Sequence, residues 1–326
     1  MSSNEIDQMF SYDGQLIFRT LELPSEPKQD VDRFVEKLSE SDRNLDRSDG
    51  IFRQRNLDDP LMGDFKTLDE VRHEMELLQF VQEVHGPETT ILTEGGDRVQ
   101  GQEITERTAD CVFLPNGRVL IRGPRMMFQS VNQRLNAAVE TSDRLNRVEL
   151  KSHFLLWLLW KYHQKESLEG INNPLQPVSL NVAQIETADD ALTETTKYSG
   201  DGVVQSSLFL IDLLRGGNIQ ALGGVFKLGN RFIEMNINLD SSIHVQVSEA
   251  LGNLPDIGRY LLAVQATDRI VEQYQKWEHL PKKKKYPPKE FFMELKEELS
   301  DSGVDANFSL IDAVAPILEL RGEELG

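Results

Sequence analysis

Cysteine is nearly absent from this 326-residue chain, Cys111 being the single one. No disulfide can form within the chain, and a cysteine-based zinc site lacks its ligands. Cys111 stands in the apolar run Cys-Val-Phe-Leu and is expected to be a buried structural thiol. A chain so poor in cysteine suits a reducing compartment, and a cytoplasmic location is the expectation. The start, Met-Ser-Ser-Asn-Glu-Ile-Asp, offers neither a basic segment nor an apolar one, so no signal peptide is expected. Long apolar runs are missing too. The longest, Phe154 to Trp160, is far short of the ~20 residues a membrane span needs.

Positive charge is scarce. Lys and Arg number 35 against 54 Asp and Glu, for a net charge of −19. On average such a chain repels nucleic acid and anionic membranes, so binding to either requires a local patch. Hydrophobic residues make up 39%, enough for a sizeable core and against wholesale disorder.

Catalytic signatures are also lacking. No Gly-Lys-Ser/Thr follows the glycine pairs Gly216-Gly217 and Gly223-Gly224, which are expected to serve hairpin turns and a bulge. There is no Gly-x-Ser-x-Gly elbow and no dinucleotide fingerprint. His73, His85, His153, His163, His244 and His279 form no zincin pair. Glu149 and Lys151 make a Glu-x-Lys pair of the kind metal-dependent nucleases use, with Asp110 the nearest aspartate on a strand. A whole helix separates the two, and Glu294 and Lys296 repeat the pattern. No cofactor and no metal site is expected, and a non-enzymatic role is favoured.

The patterns that are present predict an α+β fold, with antiparallel sheets made of hairpins and a meander, each backed by long helices. Gln15–Leu23 reads as a strand. A helix follows, with Val31, Phe34, Val35 and Leu38 on one face. Residues 42–64 read as a long surface connection. Thr67 and Glu70 resemble a capping box for a helix bearing Val71, Met75, Leu78 and Val81 and ending near Gly86-Pro87. Residues 94–103 read as a polar loop. Ala109–Leu114 and Arg118–Arg122 flank Pro115-Asn116-Gly117, a strong hairpin signal. A helix after Gly123-Pro124 buries Met127, Val131, Leu135 and Ala138.

The next helix, 146–166, is apolar all round over Phe154–Trp160, which suits a core helix or a homo-oligomer interface. A meander is expected from Ser179–Ile185, Ser207–Leu214, Ile219–Leu228, Arg231–Leu239 and Ile243–Val247, with a helix as the alternative for Ser207–Leu214. Pro255 opens a long helix that the Pro281–Pro288 segment stops, and helices at about 289–300 and 307–320 close the chain. The expected domains are 1–169, 179–280 and 281–326, with the boundary in 170–178.

Two basic islands interrupt the acidic background. Residues 111–150 hold six arginines against three acids: Arg118, Arg122, Arg125, Arg134, Arg144 and Arg147. Arg118 and Arg122 share a strand face. Arg125 opens a helix, and guanidinium forks suit phosphate oxygens. Residues 276–289 hold six lysines against one glutamate, among them Lys282, Lys283, Lys284, Lys285 and Lys289. Either island can bind DNA, RNA or another polyanion, or else pair with the chain's own carboxylates.

The order strand, Asn-Gly turn, strand, Gly-Pro and helix over about 109–140 resembles half of a TATA-box-binding-protein-type domain, in which a curved sheet faces DNA and helices cover its back. The resemblance carries no functional residue to this chain. The leading expectation is a non-catalytic binding protein for nucleic acid or another polyanion. Its alternatives are an oligomeric scaffold subunit built on helix 146–166 and a metal-dependent nuclease.

Overall fold

A computed structural model describes residues 15–24, 30–41, 47–54, 73–92, 98–139, 144–165, 175–189, 192–246, 256–304, 307 and 309–324. The expected α+β class is what these residues form, with seven helices longer than one turn, eleven strands and antiparallel pairing throughout the registers described. Two compact units divide the chain, one over Ile17–Val148 and the other over Glu149–Gly326 with Gln15 and Leu16. The division falls between Val148 and Glu149, ahead of the 170–178 segment.

In the first unit the strand order is β2 (Ile51–Gln54), β3 (Glu76–Leu92), β4 (Arg98–Phe113), β5 (Arg118–Arg122) and β1 (Gln15–Glu22). The two-residue β6 (Asn146–Arg147) also pairs with β1. Helices α1 (Val31–Ser41) and α2 (Arg125–Ala138) pack on one sheet face. Phe34 and Leu38 from α1 and Met127, Val131 and Leu135 from α2 meet Leu21, Phe80, Cys111 and Phe113 there. The start of α1 is fixed by Asp30, whose carboxylate accepts from the Arg33 amide at 3.1 Å. The β4–β5 turn is the one the sequence signals. Gly117 takes φ +79°, and the Arg118 amide donates to the Asn116 side chain at 3.1 Å. Cys111 is fully buried, and burial raises its thiol pKa, with Asp110 adding to the effect.

In the second unit the order is β8 (Leu192–Ser199), β7 (Gln176–Asp189), β9 (Asn218–Leu228), β10 (Arg231–Asn238) and β11 (Ile243–Gln246). Helix α3 (Ser152–Gln164) packs on β7 and β9, and α5 (Asp256–Glu278) on β11. The short α4 (Ser207–Leu214) packs with α6 (Lys289–Asp301) and α7 (Ile311–Arg321), which runs through Pro316. Gly223 and Gly224 lie opposite a bulge at Leu180–Val182. A Cβ at Gly224 would fall 2.0 Å from the Ser179 carbonyl oxygen, so the glycine permits the close approach of β7.

The structure corrects several expectations. The helix expected to run to about residue 86 is strand β3 from Glu76 onward; Thr67 and Glu70 lie outside the described residues. Leu77, Leu78, Phe80 and Val81 are all buried, so both faces of β3 are covered there. A short apolar run of that kind cannot be assigned by spacing, and pairing with β2 and β4 decides it. Residues 98–103, expected as loop, belong to β4. Ser207–Leu214 takes the helical alternative, with the Ser206 hydroxyl accepting from the Phe209 amide at 3.3 Å. The helix expected from 146 begins at Ser152.

Candidate polyanion-binding surface

The arginine island does not form one exposed patch. Arg118 and Arg122 do share a face of β5, but Arg118 is 7% exposed. Arg122 stands directly opposite Asp110 in the β4–β5 register and binds its carboxylate at 2.9 Å. The Asp110 side chain is 8% exposed, so this pair is partly desolvated and bound to the fold. Arg134 is half-buried on α2, and neither it nor Arg118 is free of partners. Arg125, Arg144 and Arg147 are exposed. The Arg147 guanidinium lies 5.5 Å from the Phe128 ring centre. The face resembling a DNA-facing sheet is closed as well, since Phe18, Val112 and Leu120 are wholly buried beside Arg118.

The lysine island is built differently. Pro281 starts a single helical turn, Lys282–Lys285, rather than an irregular loop. Three buried or half-buried donors hold its carbonyls. The Trp157 indole N–H donates to Lys284 O at 3.2 Å, and that of Trp277 to Lys285 O at 3.0 Å. Arg321 donates through Nη1 to Lys283 O at 2.9 Å and also to Tyr286 O. Beneath the turn, Phe154 packs on Trp157, Tyr274 and Trp277 at centroid separations of 5.9, 5.3 and 5.7 Å. The backbone is thus pinned to the aromatic junction of α3 and α5, while Lys282, Lys283 and Lys284 remain exposed.

Lys285 is the exception. Its ammonium donates to Glu278 O at 2.9 Å and lies 4.4 Å from the Trp277 ring centre. Burial lowers its pKa, and Lys151 nearby lowers it further. Lys151 in turn binds Glu278 at 2.7 Å. Burial works against the Glu278 charge, yet Lys151, Tyr274 and Lys285 together hold its pKa below the usual range. Lys283 reaches Glu323 only at 3.7 Å with its side chain 75% exposed. The Glu323 carboxylate is chiefly bound by Arg321, at 3.0 Å. Lys289 opens α6 and already has a partner within the chain, as does Lys284. Lys282 holds no ion pair among the described residues. Among the described ion pairs, Glu278 is bound by Lys151 and Glu323 by Arg321 and, more distantly, Lys283, while Lys282 joins none.

His153, at the start of α3, adds no charge at neutral pH. Burial lowers its pKa, and Lys151 and Lys285 reinforce the shift. Its ring stands edge-on to Tyr286 at 5.7 Å. Spacing within the sequence could not reveal these ties, because Trp157, Trp277 and Arg321 come from three separate helices. Of the three, the sequence marks only Trp157, as part of the apolar run Phe154–Trp160.

Phe154–Trp160, proposed as an oligomer interface, are at most 8% exposed within a single chain, so this helix is core. Lys151 is engaged by Glu278, Asp110 by Arg122, and among the described residues no cluster of His, Cys, Asp and Glu can hold a metal. Compared with models of known protein families and with curated proteins, the chain matches none.

Proposed function

We propose that this chain is a non-catalytic binding protein that docks a polyanion, nucleic acid in the first instance, through the lysine turn of its second unit. Lys282, Lys283 and Lys284 supply the main contacts, with Lys151 and Lys289 at the margin. The observation that carries the reading is the pinning of the turn by Trp157, Trp277 and Arg321. A solvated lysine linker needs no such anchoring. A turn whose carbonyls are all committed inward presents its ammonium groups outward at fixed spacing, so less freedom is lost on binding. Repulsion from a chain whose net charge is −19 confines the contact to this patch and makes it sensitive to salt.

Arg125, with Arg144 and Arg147, is the accessible remainder of the arginine island. Arg118, Arg122 and Arg134 act in this reading as structural cations. The test is binding of fluorescein-labelled single- and double-stranded DNA and RNA at low salt. Charge reversal at Lys282, Lys283 and Lys284 together is expected to weaken binding at least about tenfold, with little effect from reversal at Arg125. Undiminished binding by the lysine variant, or no binding by the parent chain, would overturn the proposal.

A further inference from the structure

In the first unit, β3 and β4 run on together well past the strands beside them. Strand β2 covers β3 only at Leu78–Val81, and β5 covers β4 only at Asp110–Phe113. The remainder is a two-stranded ribbon in which residues 82–92 lie against 98–107. An isolated ribbon is marginal in water, and each free strand edge is a template for further pairing.

The two edges are not equivalent. On β3 the register breaks between His85 and Glu88, where Gly86 and Pro87 intervene. A bulge with a proline is a usual guard of an open edge. On β4 the stretch Arg98–Thr108 has neither lysine nor proline, and most of it is exposed, with Val99 at 50% and Ile104 at 56%. No described strand pairs with this edge.

The direction of its free amides follows from the hairpin. The Leu114 amide donates to Arg118 O at 2.9 Å, so even-numbered residues of β4 turn their backbone groups toward the β5 side. From Thr108 down to Arg98 those groups have no described strand to meet.

We infer that this edge is a homodimer interface, in which β4 of a second copy pairs antiparallel about a two-fold axis at Gln102. The axis then faces Gln102 against Gln102, with Gln100 opposite Ile104 and Arg98 opposite Glu106. All are even-numbered, so each presents its amide and carbonyl to the partner. Arg98 and Glu106 are exposed and in no ion pair among the described residues. The symmetry makes the Arg98–Glu106 contact twice. Moving the axis to Glu103 would oppose two carboxylates and leave Arg98 against Thr108. Moving it to Gly101 would oppose Arg98 and Ile104. Of these three registers, the one centred on Gln102 is the one that sets unlike charges opposite each other.

Light scattering on the full chain is expected to give twice the 37.1 kDa chain mass. Arg98→Glu and Glu106→Arg should each return the mass to a single chain, and the two combined should restore the dimer. Gln102→Cys should form an interchain disulfide under mild oxidation, since facing residues of a hydrogen-bonded pair have Cα atoms ~5.5 Å apart. Cys111 is buried and cannot substitute. Circular dichroism of each variant checks that the fold is intact. A single-chain mass for the parent protein overturns the inference. So does a dimer that withstands Arg98→Glu and gives no cross-link at residue 102. Charge reversal at Lys282–Lys284 should leave the dimer intact, which separates this outcome from failure of the polyanion proposal.

Discussion

The Trp277 indole N–H donates to the carbonyl of Lys285 at 3.0 Å, while the ammonium of that same lysine sits 4.4 Å from the centre of the Trp277 ring. One aromatic side chain thus fixes the backbone of the lysine turn and draws its fourth lysine inward. Lys282, Lys283 and Lys284 are exposed.

Trp277→Phe should separate these two roles. A ring remains for the ammonium, but the N–H is lost and the Lys285 carbonyl loses its buried donor. A loss of about 1–3 kcal/mol is expected in urea denaturation, from the unmade hydrogen bond and the smaller ring. Trp157→Phe should cost a similar amount, since its N–H holds the Lys284 carbonyl in the same part-buried way. Both variants should also weaken polyanion binding by loosening the turn.

The Arg122–Asp110 pair leads to the opposite expectation for the arginine island. Asp110→Ala leaves a partly buried guanidinium without its carboxylate and should cost about 3 kcal/mol, near the lower end for breaking a buried pair. Arg125→Ala, at an exposed position, should stay within about 0.5 kcal/mol of the parent. Thermal denaturation of the two variants side by side measures the contrast.

His153 sets a pH dependence. Its pKa is lowered in the folded chain by burial and by Lys151 and Lys285. The unfolded chain therefore takes up a proton near the ordinary histidine value while the folded chain does not, and stability falls as pH drops below about 6.5. Above that range the imidazole is neutral in both states and imposes no penalty. His153→Gln should flatten this part of the stability profile, and the difference between variant and parent from pH 7.5 to 5 measures it. The lowered pKa values of Glu272, Glu278 and Glu323 have their effect at more acid pH, through loss of charge on the folded carboxylates.

Gly224→Ala tests the packing of the second sheet. The added methyl group would lie 2.0 Å from Ser179 O and 2.8 Å from Leu180 Cα, both backbone atoms that cannot swing aside. A loss of about 1–3 kcal/mol or more is expected, read from the denaturation midpoint. Ala at Gly303 would meet no atom within 4 Å, but its φ of +84° still disfavours a side chain, so a smaller loss is expected there.

Much of this architecture was legible where local chemistry decides. The Asn116-Gly117 turn, the stripes of α1 and α2, and the breaks between the expected segments Ile219–Leu228, Arg231–Leu239 and Ile243–Val247 fall where the sequence places them. Where pairing partners decide, the sequence misled or was silent. The run Glu76–Val81 suits a helix until β2 and β4 flank it, and the polar threonine-rich β8 has no apolar face to announce it. The candidate site divides in the same way. Composition alone exposes the cluster at Lys282–Lys285, whereas the anchoring of its carbonyls by Trp157 and Arg321 depends on contacts across more than thirty positions of chain. The pairing of Arg122 with Asp110 is likewise a product of β4 lying alongside β5.

The most direct measurement is the salt dependence of polyanion binding. With ammonium groups on phosphates, the logarithm of the association constant falls linearly with that of salt concentration, by roughly 0.9 per contact on duplex DNA. Replacing Lys282, Lys283 and Lys284 by glutamine should lower that slope by about 2–3 and leave the thermal midpoint unchanged. A slope identical to that of the parent chain would contradict the assignment of these three lysines as the contact surface.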